Sequence, residues 1–342
     1  MMEFYENKTG INQIFSYRSA TGSVVVAPES FVDISLLNGG VGVLTRQAGF
    51  LRAMKDREQT RFYLERTFSL GDTLMLVPVY RRLREIGYSP YIRTLPQYIK
   101  ILQLLGVEVQ DVKNMKKTPG IMLDFVVEKD HVDPKMQKMD RVEIYSRAVG
   151  LSLDYIPNWS MDISKLPEAP VGFKDYVVFQ GSGATAKRGL PKNVIQDIIY
   201  FLNLEEVNVV YIGGNMQLDG AKEFTEFRFM NQTISELFSI IYGAKLLISM
   251  DSSPIWVSHF TGTPLMAILG PSRVDERLNL HPLLKTAVRA LKLNEWIDCK
   301  PCFERAVECN NKMTCFAGVK SEKLYEELRP TIMKYWKEIK QK

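Results

Sequence analysis

From residue 60 onward the chain alternates short apolar runs with longer segments in which apolar side chains recur every three or four positions. The first pattern fits strands buried on both faces, and the second fits helices with one apolar stripe. Residues 61–66 read as a strand, followed by Ser69-Leu70-Gly71-Asp72 and a helical run carrying Leu74, Val77, Leu83 and Ile86. A strand at 91–94, a helix at 97–105, a strand at 107–109 and a buried strand at 121–127 continue the alternation, and 141–150 reads as a helix closed by its glycine. Strands alternating with helices imply parallel βαβ units.

Residues 151–174 contain Pro157, Pro167 and Pro170 and read as a linker. The alternation then restarts: strand 176–180, helix 192–202, strand 207–212, helix 234–242, strand 246–250, helix 254–260 and strand 265–269, with a charged amphipathic helix over 321–340. The expected fold class is α/β, with two successive Rossmann-like lobes and a ligand cleft at the carboxyl ends of their strands, between the lobes. The first 60 residues read differently. Two short strands flank a turn at Pro28 and Glu29, glycines follow at 39, 40 and 42, and 44–55 is a candidate short basic helix. The expected organisation is an N-terminal extension over 1–59, a first lobe over 60–165, a second lobe over 166–320 and a terminal helix over 321–342.

Composition adds bounds rather than identity. The 342 residues are 24% charged and 46% hydrophobic, with a formal net charge of +5, which suits anionic ligands without demanding nucleic acid. No apolar run approaches the roughly 20 residues of a membrane-spanning helix. The opening MMEFYENKTG lacks a basic segment followed by an apolar one, so a cytoplasmic location is expected.

Three strand-end loops carry the candidate chemistry. In QGSGATAKRGLP (180–191), Gly181, Ser182 and Gly183 let the backbone approach an anion, while Lys187 and Arg188 add charge suited to a diphosphate. The plainer alternative is an ordinary βα turn with solvated cations. Asp251, Ser252 and Ser253 sit between a strand and a helix, where they either cap the helix or hold phosphate and sugar hydroxyls. Asp72 follows the first strand of the first lobe, where a carboxylate is either an N-terminal cap or a general base. Asp-x-Asp, a frequent divalent-metal motif, occurs nowhere in the chain.

With these loops stand FSLGDTLMLVP (68–78), YIGGN (211–215) and a long segment over 233–272. The last runs from TISELFSIIYGAKLLISM through Asp251-Ser252-Ser253-Pro254 to IWVSHFTGTPLMAILGPS. Taken in order with the 180–191 loop, these segments resemble the ADP-heptose:lipopolysaccharide heptosyltransferase family, glycosyltransferase family 9, over residues 60–340. The resemblance implies a GT-B fold and inverting sugar transfer that needs no metal cofactor for catalysis. It implies Asp72 as catalytic base, Lys187 or Arg188 as the diphosphate-binding cation, and Asp251, Ser252 and Ser253 as the donor-binding turn. Gly214 and Asp219 would lie near the nucleotide, Asp219 on the ribose side. The family usually has Gly where this chain has Ser253 and often His where it has Trp256, while His259 lies three positions further on. Trp256 is kept as a donor contact; Trp296 and Trp336 read as packing residues. The donor is ADP-heptose or another nucleotide sugar. The acceptor is a hydroxyl on a lipopolysaccharide or other glycan, or on a modified DNA base. A nucleotide-sugar epimerase or hydrolase on the same fold, and a non-catalytic binding protein, are the alternatives.

All four cysteines, Cys299, Cys302, Cys309 and Cys315, form the pattern C-x2-C-x6-C-x5-C. Four thiolates suit a tetrahedral structural zinc with no open catalytic position; free thiols and disulfides are the alternatives. His131 and His281 belong to no motif.

Overall fold

Apolar strands that each lead into an amphipathic helix bury both faces only when they pair in parallel beneath their crossovers. The computed structural model has this arrangement twice, in two compact units, Met1–Trp159 and Ser160–Lys342. It describes residues 4–7, 13–17, 23–26, 30–33, 37–38, 44–47, 50–67, 69–114, 118–124, 139–151, 155–172, 174–182, 189–213, 216–224, 231–270, 288–292, 316 and 318–337.

The first unit begins with six short strands, β1 (Phe4–Asn7), β2 (Gln13–Tyr17), β3 (Ser23–Val26), β4 (Ser30–Asp33), β5 (Leu37–Asn38) and β6 (Leu44–Gln47). Then come α1 (Phe50–Asp56), β7 (Arg61–Glu65), α2 (Leu70–Glu85), β8 (Ser89–Thr94), α3 (Pro96–Leu104), β9 (Val109–Asp111), β10 (Gly120–Met122) and α4 (Arg141–Val149). Its main sheet has the order β6-β1-β4-β10-β7-β8-β9, and β2, β3 and β5 form a separate antiparallel sheet.

Strands β7 to β10 are mutually parallel in the order β10-β7-β8-β9, so the chain reverses its direction of travel across the sheet between β7 and β10. Beyond β10 the sheet is completed by the N-terminal segment. Strand β4 pairs in parallel with β10, Ser30 opposite Gly120, and β1 and β6 add antiparallel. Leu44–Gln47, expected to be part of a short helix, is the edge strand of this sheet, and the helix starts at Phe50. An unpaired β10 edge would leave backbone donors and acceptors without partners, and β4 supplies them. Helix α2 packs on β8 and on α4, and Phe50 of α1 meets Phe62 of β7 edge-on with ring centroids 4.9 Å apart.

The second unit opens with a 3-10 turn at Ile163–Lys165. It continues with β11 (Val177–Gln180), α5 (Lys192–Leu204), β12 (Val209–Ile212), β13 (Lys222–Phe224), α6 (Asn231–Gly243), β14 (Leu246–Met250), α7 (Ser253–Thr261), β15 (Leu265–Leu269), β16 (Val288–Lys292) and α8 (Ser321–Lys337). The six strands are all parallel in the order β13-β12-β11-β14-β15-β16. This is the strand order of a dinucleotide-binding Rossmann domain, with its switch point between β11 and β14.

Helix α8 completes the core of the second unit. Leu324, Leu328 and Ile332 are fully buried in the same cluster as Val194, Ile198 and Leu202 of α5. Three polar contacts recur every four residues along both helices. Ser321 Oγ donates to Asp197 Oδ2 (2.6 Å), Tyr325 Oη to the Phe201 carbonyl (3.3 Å) and Arg329 to Glu205 (2.6 Å). The constant spacing fixes α5 and α8 as parallel neighbours in one register. Among the described residues, no helix is long and apolar enough to cross a membrane.

Candidate active site

In the first unit the polar residues collect at the carboxyl ends of β7 and β10, on either side of the switch point. Arg66 follows β7 directly and its side chain is 1% exposed. A buried guanidinium requires anionic partners, and Arg66 has two. One Nη donates to Asp72 Oδ2 on the first turn of α2; the other lies 3.3 Å from Asp124 Oδ1, just past β10, and 3.4 Å from the Leu123 carbonyl. Asp124 also accepts from the Thr67 N–H at 2.8 Å and the Thr67 hydroxyl at 2.5 Å.

The two carboxylates therefore differ. Asp124 is clamped through both oxygens and its side chain is 4% exposed, whereas the Asp72 side chain is 16% exposed. The first turn of a helix favours an anion, which suits an ionised Asp72. The chain reaches α2 through Ser69, whose φ of 62° is unusual for a residue with a side chain and costs about 1–3 kcal/mol. The Ser69 hydroxyl makes no cap; instead its carbonyl accepts from the Thr73 N–H (3.1 Å) and hydroxyl (2.9 Å). Tyr98 of α3 feels the Asp72–Arg66 pair. Burial chiefly holds its phenol above the usual range, with Asp72 adding to the rise while a hydrogen bond with Gln97 and the Arg66 charge oppose it.

A second buried pair lies beside the first. Glu65, the last residue of β7, is in register with Arg93 of β8, and their side chains meet at 2.8 Å. Burial pushes the Glu65 carboxyl up to about 7, against the pull of Arg93 and with a smaller push from Asp124. Arg93 also donates to the Val112 carbonyl at 2.5 Å and covers the Tyr63 ring at 4.6 Å.

In the second unit the switch point falls where the loop at Gly181 leaves β11 and the Asp251-Ser252-Ser253-Pro254 turn leaves β14. Gln180 and Ser249 are register partners on these strands, and the Ser249 hydroxyl donates to Gln180 Oε1 at 2.9 Å. Gly181 packs against α5 so closely that a Cβ there would lie 2.7 Å from Ile195 Cγ1. The Leu190 N–H donates to the Gly181 carbonyl at 2.8 Å, closing the loop on itself. A Cβ on Gly213, after β12, would lie 2.4 Å from Ser182 Oγ, so these two strand-end loops are in contact.

Asp251 is buried at the end of β14, and Ser252 precedes α7 in extended backbone. The Ser252 side chain makes no cap hydrogen bond, so the simple capping alternative is not realised at that residue. Ser253 opens α7. Trp256 is buried within α7, its ring 5.2 Å from that of His259, whose Nδ1 pairs with the Ile255 carbonyl at 2.7 Å. Asp219 is exposed and its backbone is clamped to α5 by two bonds with Gln196, at 2.9 and 3.0 Å. Trp336 packs partly buried against the core, as expected.

Gly183, Lys187, Arg188 and Gly214 lie outside the described residues, as do Cys299, Cys302, Cys309, Cys315, His131, His281 and Trp296. Among the described residues, no group of three or more His, Cys, Asp or Glu side chains is arranged to hold a metal ion. Arg66, Asp124, Gln180 and Ser249 join the site without having been singled out in the sequence. Their one signal was a polar residue within or at the end of an otherwise apolar strand run.

Neither a protein-family profile nor a curated protein matches the chain. Solved structures do. The iron-containing dodecameric heptosyltransferase TibC, in complex with ADP-D-beta-D-heptose, is 13% identical over 98% of this chain and 92% of that chain, with a TM-score of 0.63. TibC from enterotoxigenic Escherichia coli also matches at 14% identity, over 82% of this chain and 77% of that one, with a TM-score of 0.59. A family 9 glycosyl transferase from Veillonella parvula is 12% identical over 80% of this chain and 98% of that chain, with a TM-score of 0.51. Identities this low carry the fold and not the activity. The fold of this chain is that of the GT-B glycosyltransferases, and it resembles the heptosyltransferases as the motifs implied.

Proposed function

We propose that the chain is a glycosyltransferase. It moves a sugar, heptose or another, from a nucleotide-diphosphate donor to a hydroxyl of a glycan or of a modified DNA base, with inversion at the anomeric carbon. The observation that carries this reading is Asp72: a carboxylate on the first turn of α2, beside a switch point, partly exposed and held by a buried arginine. The Rossmann order of the second unit supports donor binding at the ends of β11 and β14, where ligands of such sheets bind.

In the proposed reaction the acceptor hydroxyl oxygen attacks the anomeric carbon from the face opposite the diphosphate. The bond from that carbon to the phosphate oxygen breaks, and the diphosphate leaves with the electron pair. The hydroxyl proton passes to Asp72, which serves as general base. Gly181, Ser182, Gly183 and Gly214 offer close backbone approach to the donor, while Lys187 or Arg188 balances the leaving charge in place of a divalent metal. Asp251, Ser252 and Ser253 hold the donor at the start of α7, with Trp256 as a further donor contact and Asp219 toward the ribose.

The test is a panel of nucleotide sugars offered to the full chain with and without hydroxyl acceptors, with nucleoside diphosphate release as readout. Release that requires an acceptor is the expected result. Turnover without acceptor would point to an epimerase or hydrolase. If no nucleotide sugar is turned over and none raises the melting temperature, the enzymatic reading fails.

A further inference from the structure

We propose that Arg66, clamped by Asp124 and Thr67, is a positioning residue for Asp72: it fixes the orientation of that carboxylate and keeps it ionised. This rests on the reading of Asp72 as the base.

Three features lead there. First, Arg66 is buried, so its charge is little screened and its two carboxylate contacts are strong. Second, its two partners are unequal. Asp124 is bonded by the Thr67 N–H and hydroxyl as well as by Arg66, so it acts as the fixed anchor. Asp72 is reached by the other end of the same guanidinium and is the more exposed partner. Third, Asp72 lies on the first turn of α2, so the helix fixes its backbone while its side-chain rotamer is left to its partners. A planar guanidinium bonded at both ends transmits the position of β10 to the carboxylate on α2.

Among the described residues, the charged and titratable groups that the contacts place around the carboxylate come from three elements. They are Arg66 at the end of β7, with Glu65 before it; Asp124 after β10, acting through Arg66; and Tyr98 on α3. Arg66 is the cation of this set that bonds Asp72. It therefore holds the carboxylate ionised to lower pH than a lone aspartate, at the cost of a weaker base.

The test compares full-length Arg66→Gln, Arg66→Lys and the double variant Arg66→Gln/Asp124→Asn with the wild type. Readouts are the pH profile of acceptor-dependent diphosphate release, the donor KM and the melting temperature. The double variant removes the cation and its anchor charge together, so no charge is left buried and unpaired there. We expect it to fold, to keep its donor KM within about twofold, and to show an acid limb about one pH unit higher, roughly a tenfold loss on that limb. Arg66→Lys should bring the limb back toward that of the wild type. A double variant that is folded with an unmoved acid limb would overturn the proposal, as would Arg66→Lys behaving like Arg66→Gln. The titration of the Asp72 carboxyl by carbon NMR, assigned with Asp72→Asn, separates this failure from that of the reaction itself. If Asp72→Asn turns over like wild type while the carboxyl titration still rises in Arg66→Gln, the pairing stands and the base assignment falls.

Discussion

Arg66 and Asp72, six positions apart, meet in a salt bridge whose guanidinium is 1% exposed and whose carboxylate is 16% exposed. The burial is one-sided: the cation is sealed in the fold while the anion stays at its margin.

Asp72→Asn keeps the shape of the side chain and removes its ability to take a proton. Acceptor-dependent turnover should fall about 10²–10⁴-fold with donor affinity little changed. Asp124 still neutralises Arg66, so the variant should fold. A loss of less than about tenfold, in a folded protein whose wild type turns over, would remove Asp72 from the role of base.

Glu65 predicts a pH dependence of stability. Its carboxyl is raised by burial from an ordinary value to about 7, so the folded state holds a proton that the unfolded state has released. Its contribution is fully present below the ordinary carboxylate range and is lost as pH rises through about 7. Glu65→Gln removes this slope. The melting temperature of the variant minus that of the wild type should therefore increase between pH 4.5 and about 7, and a flat difference would contradict it.

The contact between Ser182 and Gly213 is tight enough to test by substitution. Gly213→Ala places a methyl 2.4 Å from Ser182 Oγ and 3.0 Å from Tyr211 Cε1, so the Ser182 side chain must turn aside, at a cost of about 0.5–1.5 kcal/mol. Adding Ser182→Ala removes the clashing oxygen and should recover part of that loss. Denaturant unfolding of the two proteins decides it, and an equal loss in both would mean the loops do not meet there.

Helix α8 separates packing from surface charge. Leu328→Ala, fully buried against α5, should cost about 2–5 kcal/mol. Arg329→Ala, on the exposed rim of the same helix, should leave the unfolding midpoint unchanged. Comparable losses from both would mean that the terminal helix is held by its ion pairs instead of its apolar face.

The four clustered cysteines predict a bound metal. Elemental analysis of the purified chain should find about one zinc per molecule, lost in Cys302→Ser. Four titratable thiols with no metal, or a different metal, would overturn the zinc assignment.

The parallel units of both lobes were legible because buried strands and amphipathic helices leave different hydrophobic periods. Strands β14 and β15 fall at the expected residues, and α5, α7 and α8 lie within a few positions of theirs. Strands β13 and β16 were not legible. Three or five residues of which two are charged, Lys222–Phe224 and Val288–Lys292, carry too little apolar signal to stand out from loop. Asp72, Gly181, Ser182 and Asp251 could be named as candidates because each follows an apolar strand at a βα turn.

What the sequence determined by itself is the local grammar: which runs are strands, which are helices and which turns carry polar groups between them. What the tertiary structure decided is pairing. That β4 from the N-terminal segment completes the sheet beside β10, and that Arg66 bridges Asp72 and Asp124, depend on contacts between residues 58 to 90 positions apart or across a turn. Such contacts leave no period in the chain. An edge strand takes whichever backbone partner lies alongside it, and a buried cation takes whichever carboxylates the fold brings within reach.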